Sequence, residues 1–405
     1  MHVVVLGAGV TGVTTAYYLS ERGHTVTVVE REGVVASGAT GGNGGQLSYT
    51  FTDAMANPGL LMKLPGLVIG RDPAFSVRPP IDALPVRWGW AFLRQCTSQR
   101  SRANTLAVLE MAMRSSQLMA DLRSRIPFEF SFRKAGKLVL LNTQVEVDAA
   151  KEISSVKRRY GSDVRVVTLE QAREIEPALS YITTRPVGAV YSENDEVGDA
   201  LAFTSQLGNW LVENSDTEFR FDTRVHRVIS DSGKLPTVET DKGTLKPDAV
   251  VVCLGAWSNR YLKPLGIQAN VYPVRGYSVT LPPGKAANAV SITDLKSKMV
   301  YSRLGDQTRI AGFADFVGFG TGRDGERVRT LLKTARHFAP DIADYDVDSS
   351  SEWGGFRPMT PNSRPLVGPT AIKGLYLNTG HGMLGWTLAC VSGHDIAESL
   401  QYSKN

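Results

Sequence analysis

The chain has 405 residues, 42% of them hydrophobic and 21% charged, with a net charge of +5. That is enough apolar material for a large core and two domains, and the Lys and Arg are scattered rather than gathered into the basic stripe of a nucleic-acid binder. Three distant cysteines, Cys96, Cys253 and Cys390, with no Cys-x-x-Cys and no histidine at ligand spacing, speak against a disulfide framework or a metal site and fit a reducing, cytoplasmic compartment.

His2–Leu6 is a β-branched run followed by Gly7-Ala8-Gly9-Val10-Thr11-Gly12, then a helical stretch closed by Gly23. A second β-branched run, Thr25–Val29, ends at Glu30. This order predicts strand, helix and strand around a G-x-G-x-x-G turn that binds a dinucleotide. Gly7 permits the tight turn, Gly9 lets the backbone approach a pyrophosphate, and Gly12 brings the helix close to the sheet. The helix N-terminus holds phosphate, and Glu30 accepts hydrogen bonds from a ribose diol. This first apolar run contains Gly7 and Gly9, so it reads as the nucleotide strand and not as a leader. No apolar stretch reaches the roughly 18 residues of a spanning helix.

Ser37–Gly45 is too short for a linker and too rich in glycine for a packed element. It is expected to be a second place where backbone lies against the ligand. Residues 54–100 contain Pro58, Pro65, Pro73, Pro79, Pro80 and Pro85, with aromatics that look exposed, Phe75, Trp88, Trp90 and Phe92. An irregular arm is expected there, either buried or meeting a membrane or a partner subunit. Leu106, Leu109, Met113, Leu118 and Leu122 predict a core-facing helix over 101–125.

Strands are expected at 137–141, 164–168, 187–191 and 218–229, and a helix at 199–213. A buried strand over 249–257 ends in glycine, strands and turns alternate over 271–316, and a helix covers 327–338. Residues 375–382 run as a strand into a glycine turn, before a final helix over 385–400. Dinucleotide-type elements occur at both ends and near 250, so the domains are discontinuous. The division expected is 1–85, 186–270 and 352–405 for the cofactor, with 86–185 and 271–351 for the substrate.

Five segments carry a resemblance: Val5-Leu-Gly-Ala-Gly-Val-Thr-Gly12, Gly44-Gly-Gln-Leu-Ser48, Tyr272-Pro-Val-Arg-Gly-Tyr-Ser278, Gly355-Phe-Arg-Pro-Met-Thr-Pro-Asn362 and Asn378–Cys390. Over about residues 2–400 the chain resembles the flavin-dependent D-amino-acid oxidase superfamily, most of all the bacterial D-amino-acid dehydrogenase small-subunit type. The resemblance implies an α/β fold. A two-dinucleotide-binding (Rossmann-like) FAD domain would be joined to an α+β substrate domain with a mainly antiparallel sheet. It also implies FAD held noncovalently, because Gly355–Asn362 lacks the cysteine of covalent relatives. Cys390 then reads as a packed residue of the last helix. Asn362 stands where members often have Asp, which weakens any role for that position.

By the same resemblance Val10, Thr11, Glu30 and Arg31 belong to the N-terminal cofactor site. Ser37, Thr40, Gly44, Gly45, Gln46 and Leu47 follow the pyrophosphate toward the isoalloxazine. Val225 meets the adenine through its backbone, and Gly255 and Trp257 lie near the pyrophosphate. Gly380, His381, Gly382, Met383 and Leu384 open the last helix toward the flavin pyrimidine, where a helix N-terminus stabilises negative charge.

The implied reaction is oxidation of a D-amino acid to a 2-imino acid, which hydrolyses to 2-oxo acid and ammonia, with electrons leaving to a quinone or another carrier. A carboxylate substrate calls for Arg. Arg303, in Val300-Tyr-Ser-Arg, is taken first and Arg357 second, with Tyr49, Tyr277 and Tyr301 as aromatic contacts. His381 is expected to position the flavin and not to act as a base, because hydride transfer needs alignment above all. Oxidation of glycine or of a secondary amine (proline, hydroxyproline, sarcosine, an opine) is the alternative, as is a flavin subunit of a hetero-oligomer. The expected location is cytoplasmic, or peripheral on the inner face of the cell membrane.

Overall fold

The computed structural model describes residues 1–61, 74–77, 83–230, 234–320, 324–347 and 351–402. Two sheets organise them. The first has six strands in the order Leu366–Pro369, Leu375–Thr379, Ala249–Val252, His2–Leu6, Thr25–Val29 and Glu218–Arg220, parallel except at the Leu366–Pro369 edge. Its strands are continuous β-branched runs because both faces are covered. Val3, Val5, Val26, Val28 and Val251 enter one core, and Val4, Leu6, Val250 and Val252 enter another. The first core lies under the helices Val10–Ser20, Ala200–Asn214 and Gly385–Tyr402. The first and last of these pack so closely that a Cβ on Gly393 would lie 2.9 Å from the backbone of Thr14.

The second sheet has nine strands and is mainly antiparallel. Its order is Trp353–Met359, Tyr272–Leu281, Gln307–Phe316, Met299–Leu304, Ser291–Asp294, Lys137–Leu141, Gly188–Ser192 and Arg165–Thr168, with Phe75–Val77 added beside Gln307–Phe316. One face is covered by the helix Asp324–Phe338, which packs Val328, Leu331 and Phe338 against Tyr277, Val279, Met299, Tyr301 and Ile310. The other face meets the glycine-rich loop, since Val300 and Ala311 lie beside Gly44 and Leu304 beside Gly45. The fold class expected from the sequence is the one observed.

Some elements differ from expectation. Residues 218–229 are not one strand: Glu218–Arg220 joins the first sheet, and Val225–Ile229 joins a three-stranded sheet with Thr237–Thr240 and Gly243–Leu245. The chain turns between them at Asp222, whose φ is +49°, a conformation that Asp tolerates and that an apolar pattern does not announce. The arm is helical over Ala83–Gln95 and Ser98–Arg125. Trp88 and Phe92 are buried and stacked at 5.0 Å, while Trp90 on the opposite side is 65% exposed. Pro65, Pro73, Pro79 and Pro80 lie outside the described residues.

Gly188–Ser192 and Trp353–Met359, assigned to the cofactor domain from sequence, hydrogen-bond into the nine-stranded sheet. The helix Ser98–Arg125, assigned to the substrate domain, packs Val108, Met119 and Leu122 into the first core. A hydrophobic period reports that a face is buried, not which sheet buries it. Among the described residues no helix is long and apolar enough to cross a membrane.

Candidate active site

Gly7 turns the chain out of the first strand at φ +98°, and a Cβ there would lie 2.8 Å from the carbonyl of Cys253. Gly12 lies against the carbonyl of Gly7 with no room for any side chain. Gly9 precedes the helix in extended conformation without a side-chain cap. Thr40 Oγ1 accepts the Val10 N–H at 3.1 Å, and the Ala36 N–H donates to the Ala8 carbonyl at 2.9 Å, so the glycine-rich loop is fastened over the helix start. The N–H groups of Thr11 and Gly12 have no carbonyl one turn back and suit an anion. Ser37 is exposed at the loop's edge.

Glu30 is held beside the turn, its two oxygens accepting the N–H of Ala8 at 2.8 Å and of Glu32 at 3.1 Å. A carboxylate retains further lone pairs, which suit a diol. The Glu30 carbonyl accepts the Thr223 N–H at 2.9 Å, bringing the Val225 segment alongside, and the Val225 carbonyl accepts the Tyr261 hydroxyl at 3.1 Å. Gly255 has φ +52°, and Trp257 stacks on Phe319 at 3.9 Å with the Arg31 guanidinium 4.9 Å from its ring.

The loop then crosses to the second sheet. Trp353 fills the space where a side chain on Gly42 would go, and its other side lies on Gly355. Gly44 meets Val300, and Gly45, at φ +74°, meets Leu304. Arg309 donates to the Asn43 carbonyl at 2.8 Å, and Lys137 Nζ donates to Gln46 Oε1 at 2.9 Å and Ser48 Oγ at 2.7 Å. Leu47 is fully buried in the first core. Trp353, Arg309 and Lys137 were missed in the sequence. Their only signal there is a bulky or charged residue in or at the edge of a strand-like run, which does not say which face it takes.

The two candidate arginines lie on opposite faces of the sheet. Arg357 is paired with Val274, and Ser278 of that same strand is paired with Ala311, which puts Arg357 on the side of the cofactor loop. Its guanidinium crosses Gly276 and donates to the carbonyls of Phe313 at 2.5 Å and Gly312 at 3.4 Å. Phe313 itself is held at φ +61°, beside the register shift of its strand. Burial pushes the Arg357 pKa down to about 10, which leaves the group charged near neutrality.

Arg303 is two residues after Tyr301 and shares its face, turned away from the loop. Its Nε donates to the Gly305 carbonyl at 2.7 Å, within its own turn. Of the two arginines, only Arg357 therefore lies on the side of the cofactor loop. The tyrosines are also placed elsewhere. Tyr301 is fully buried and stacked on Phe338 at 5.5 Å, and Tyr277 packs in the same core with its hydroxyl on Asp315 at 2.9 Å. Tyr49 is buried in the first core with its hydroxyl on Glu196 at 2.9 Å. An aromatic in a strand or loop reads alike on either face, so sequence alone could not sort them.

The last glycine turn is tied to the strand that carries Arg357. Gly382 N–H donates to the Pro358 carbonyl at 2.9 Å, and His381 forms an isolated bridge with Met359. Gly380 and Gly382 have φ +80° and +58°. Met383 is 55% exposed, while Leu384 packs on the first core ahead of the helix Gly385–Tyr402. His381 is buried, its pKa pushed down to about 4, and its Nε2 has no hydrogen-bond partner. A neutral imidazole with an unpartnered buried nitrogen, a helix start whose N-cap glycine supplies no side-chain cap and a glycine cradle between two sheets fit a bound FAD. Cys390 is fully buried in the first core, as expected of a packed residue.

Such a site defines a flavin-dependent oxidoreductase. The family model for DAO, described as FAD dependent oxidoreductase, matches residues 2–399, and the chain belongs to this family. It is 36% identical over 408 residues to the D-amino acid dehydrogenase of Bradyrhizobium diazoefficiens, covering 100% of this chain and 96% of that protein. It is 37% identical over 407 residues to the D-amino acid dehydrogenase of Dechloromonas aromatica, covering 99% and 97%. Among solved structures, L-proline dehydrogenase from P. horikoshii matches with a TM-score of 0.77 at 21% identity, over 100% of this chain and 94% of that one. Glycine oxidase from Geobacillus kaustophilus matches with a TM-score of 0.75 at 22% identity, over 99% and 94%. The solved structures share the fold, and the chain is an FAD-dependent oxidoreductase.

Proposed function

We propose that the chain oxidises a D-amino acid to its 2-oxo acid and ammonia, passing the electrons to a quinone or another carrier. The observation that carries this reading is Arg357. It is a charged, desolvated guanidinium on the cofactor side of the sheet whose hydrogen bonds go to two carbonyls. The neighbouring Asp315 is already engaged by Arg327 at 2.7 Å and by Tyr277, which leaves Arg357 free to take a carboxylate from the substrate. The names of the full-length relatives support the D-amino acid and the dehydrogenase assignment.

Bound FAD supplies the two-electron acceptor. Arg357 fixes the substrate carboxylate and so aligns the Cα–H bond with the cofactor loop. The amino acid loses a hydride from Cα and a proton from nitrogen, and water then converts the imine to 2-oxo acid and ammonia. His381, neutral at working pH, holds the cofactor side of the site without adding charge. A cavity of about 1320 Å³ lined by Phe51, Trp88, Phe92, Val139, Tyr272 and Phe316 opens at the same sheet, and neither Arg357 nor His381 lines it.

The test is anaerobic mixing of the holoenzyme with D-amino acids, L-amino acids and secondary amines while the flavin colour is followed. Bleaching by D-amino acids, with fast recolouring by a quinone and slow recolouring in air, supports the reading. Bleaching only by glycine or secondary amines, or fast recolouring in air, contradicts it.

A further inference from the structure

The sheet face that meets the cofactor loop carries a buried lysine that no step above uses. Lys137 opens the strand Lys137–Leu141 and is 3% exposed. Val139, two residues on, is paired with Thr293, and Thr293 with Val300, which touches Gly44. Lys137 therefore shares the face of Arg357 and Arg309. Its ammonium holds Gln46 and Ser48 and lies 4.5 Å from the Phe51 ring centre. Gln46 in turn donates to Ser291 Oγ, so the exit of the loop is fastened to two adjacent strands.

The carboxylates nearby are committed elsewhere. Asp195 accepts the N–H groups of Tyr49 at 3.1 Å and Thr50 at 3.2 Å, Asp53 pairs with the buried Lys157 at 2.6 Å, and Asp199 lies 3.5 Å from Arg309. Among the described residues none of them forms an ion pair with Lys137. Burial lowers the Lys137 pKa and raises that of Asp195, and the attraction between the two, which are not in direct contact, offsets part of each shift. An ammonium buried without an ion-pair partner is costly, and an apolar residue could start this strand equally well, so packing alone does not account for the charge.

We propose that Lys137 is a positioning residue for the bound FAD: it fixes the Gln46–Ser48 end of the cofactor loop, and its positive charge makes the flavin easier to reduce. This rests on FAD binding and not on which amine is oxidised. The test is therefore a potential, read on the holoenzyme by anaerobic equilibration with a redox dye, beside the FAD dissociation constant. K137M is expected to move the reduction equilibrium about tenfold toward the oxidised form, about 30 mV for a two-electron couple. K137R, which keeps the charge, is expected to stay near the unaltered protein. Equal potentials in K137M and the unaltered protein overturn the proposal, as does an equal shift in K137R. If K137M does not hold FAD, K137Q, which keeps a donor without the charge, decides by the same criterion. Failure of the D-amino acid reading leaves this measurement untouched.

Discussion

The guanidinium of Arg357 occupies the space above Gly276 that a side chain at that position would need. Gly276 lies in mid-strand, where glycine weakens pairing and marks the close approach of another group. Gly276→Ala should restore strand propensity while pushing the guanidinium aside. We expect kcat/KM to fall about 100-fold, as misplacement of a positioning group by about 1 Å does, with Tm little changed. Steady-state kinetics beside a melting curve check this, and a large loss of Tm would show that the glycine serves packing instead.

His381 gives the fold a pH dependence with a definite sign. Its pKa is about 4 in the folded chain and about 6.5 when unfolded, so below about pH 6.5 the unfolded chain binds the extra proton. The stability associated with its burial is present above that value and lost as pH falls toward 4. By about pH 5 the loss is about 2 kcal/mol. His381→Gln should flatten this slope, which melting curves across the acid range would show.

Glu30 holds two main-chain N–H groups of the β-α-β turn, and we propose that its remaining lone pairs take the cofactor ribose. Glu30→Ala leaves both donors without their carboxylate, at about 1–3 kcal/mol. FAD affinity, read by flavin fluorescence, should fall with it. Unchanged affinity would show that the carboxylate serves the turn alone.

Gly42 and Trp353 form a second tight pair. A Cβ on Gly42 runs into the indole, and the ring cannot retreat because Gly355 lies behind it. Gly42→Ala should cost about 1–3 kcal/mol and weaken FAD retention. The double variant with Trp353→Leu should lose less than the sum of the two single losses, because the smaller side chain makes room.

The features legible in the sequence are those in which one residue type answers to one backbone need. Gly7 and Gly12 are required by contacts that no side chain survives, and Glu30 ends its strand beside them. The β-branched runs of the parallel sheet were likewise readable, since burial on both faces leaves no other pattern. What was not legible was facing. Arg303 and Arg357 stand in similar strand contexts, and only the register through Val274, Ser278 and Ala311 separates them. Lys137 and Arg309 were hidden for the same reason, and Asp222 concealed a break between two sheets.

On the proposed function, Arg357 selects an amino acid by its carboxylate. The most direct test compares the anaerobic bleaching rate of the flavin by a D-amino acid with that by the matching amine lacking the carboxylate, in the unaltered protein and in Arg357→Met. A charged hydrogen-bonded pair contributes about 1.5–3 kcal/mol, so the unaltered protein should prefer the amino acid by about 10- to 150-fold. In Arg357→Met that preference should collapse toward unity. A variant that keeps the full preference would place the carboxylate site elsewhere and rule out this role for Arg357.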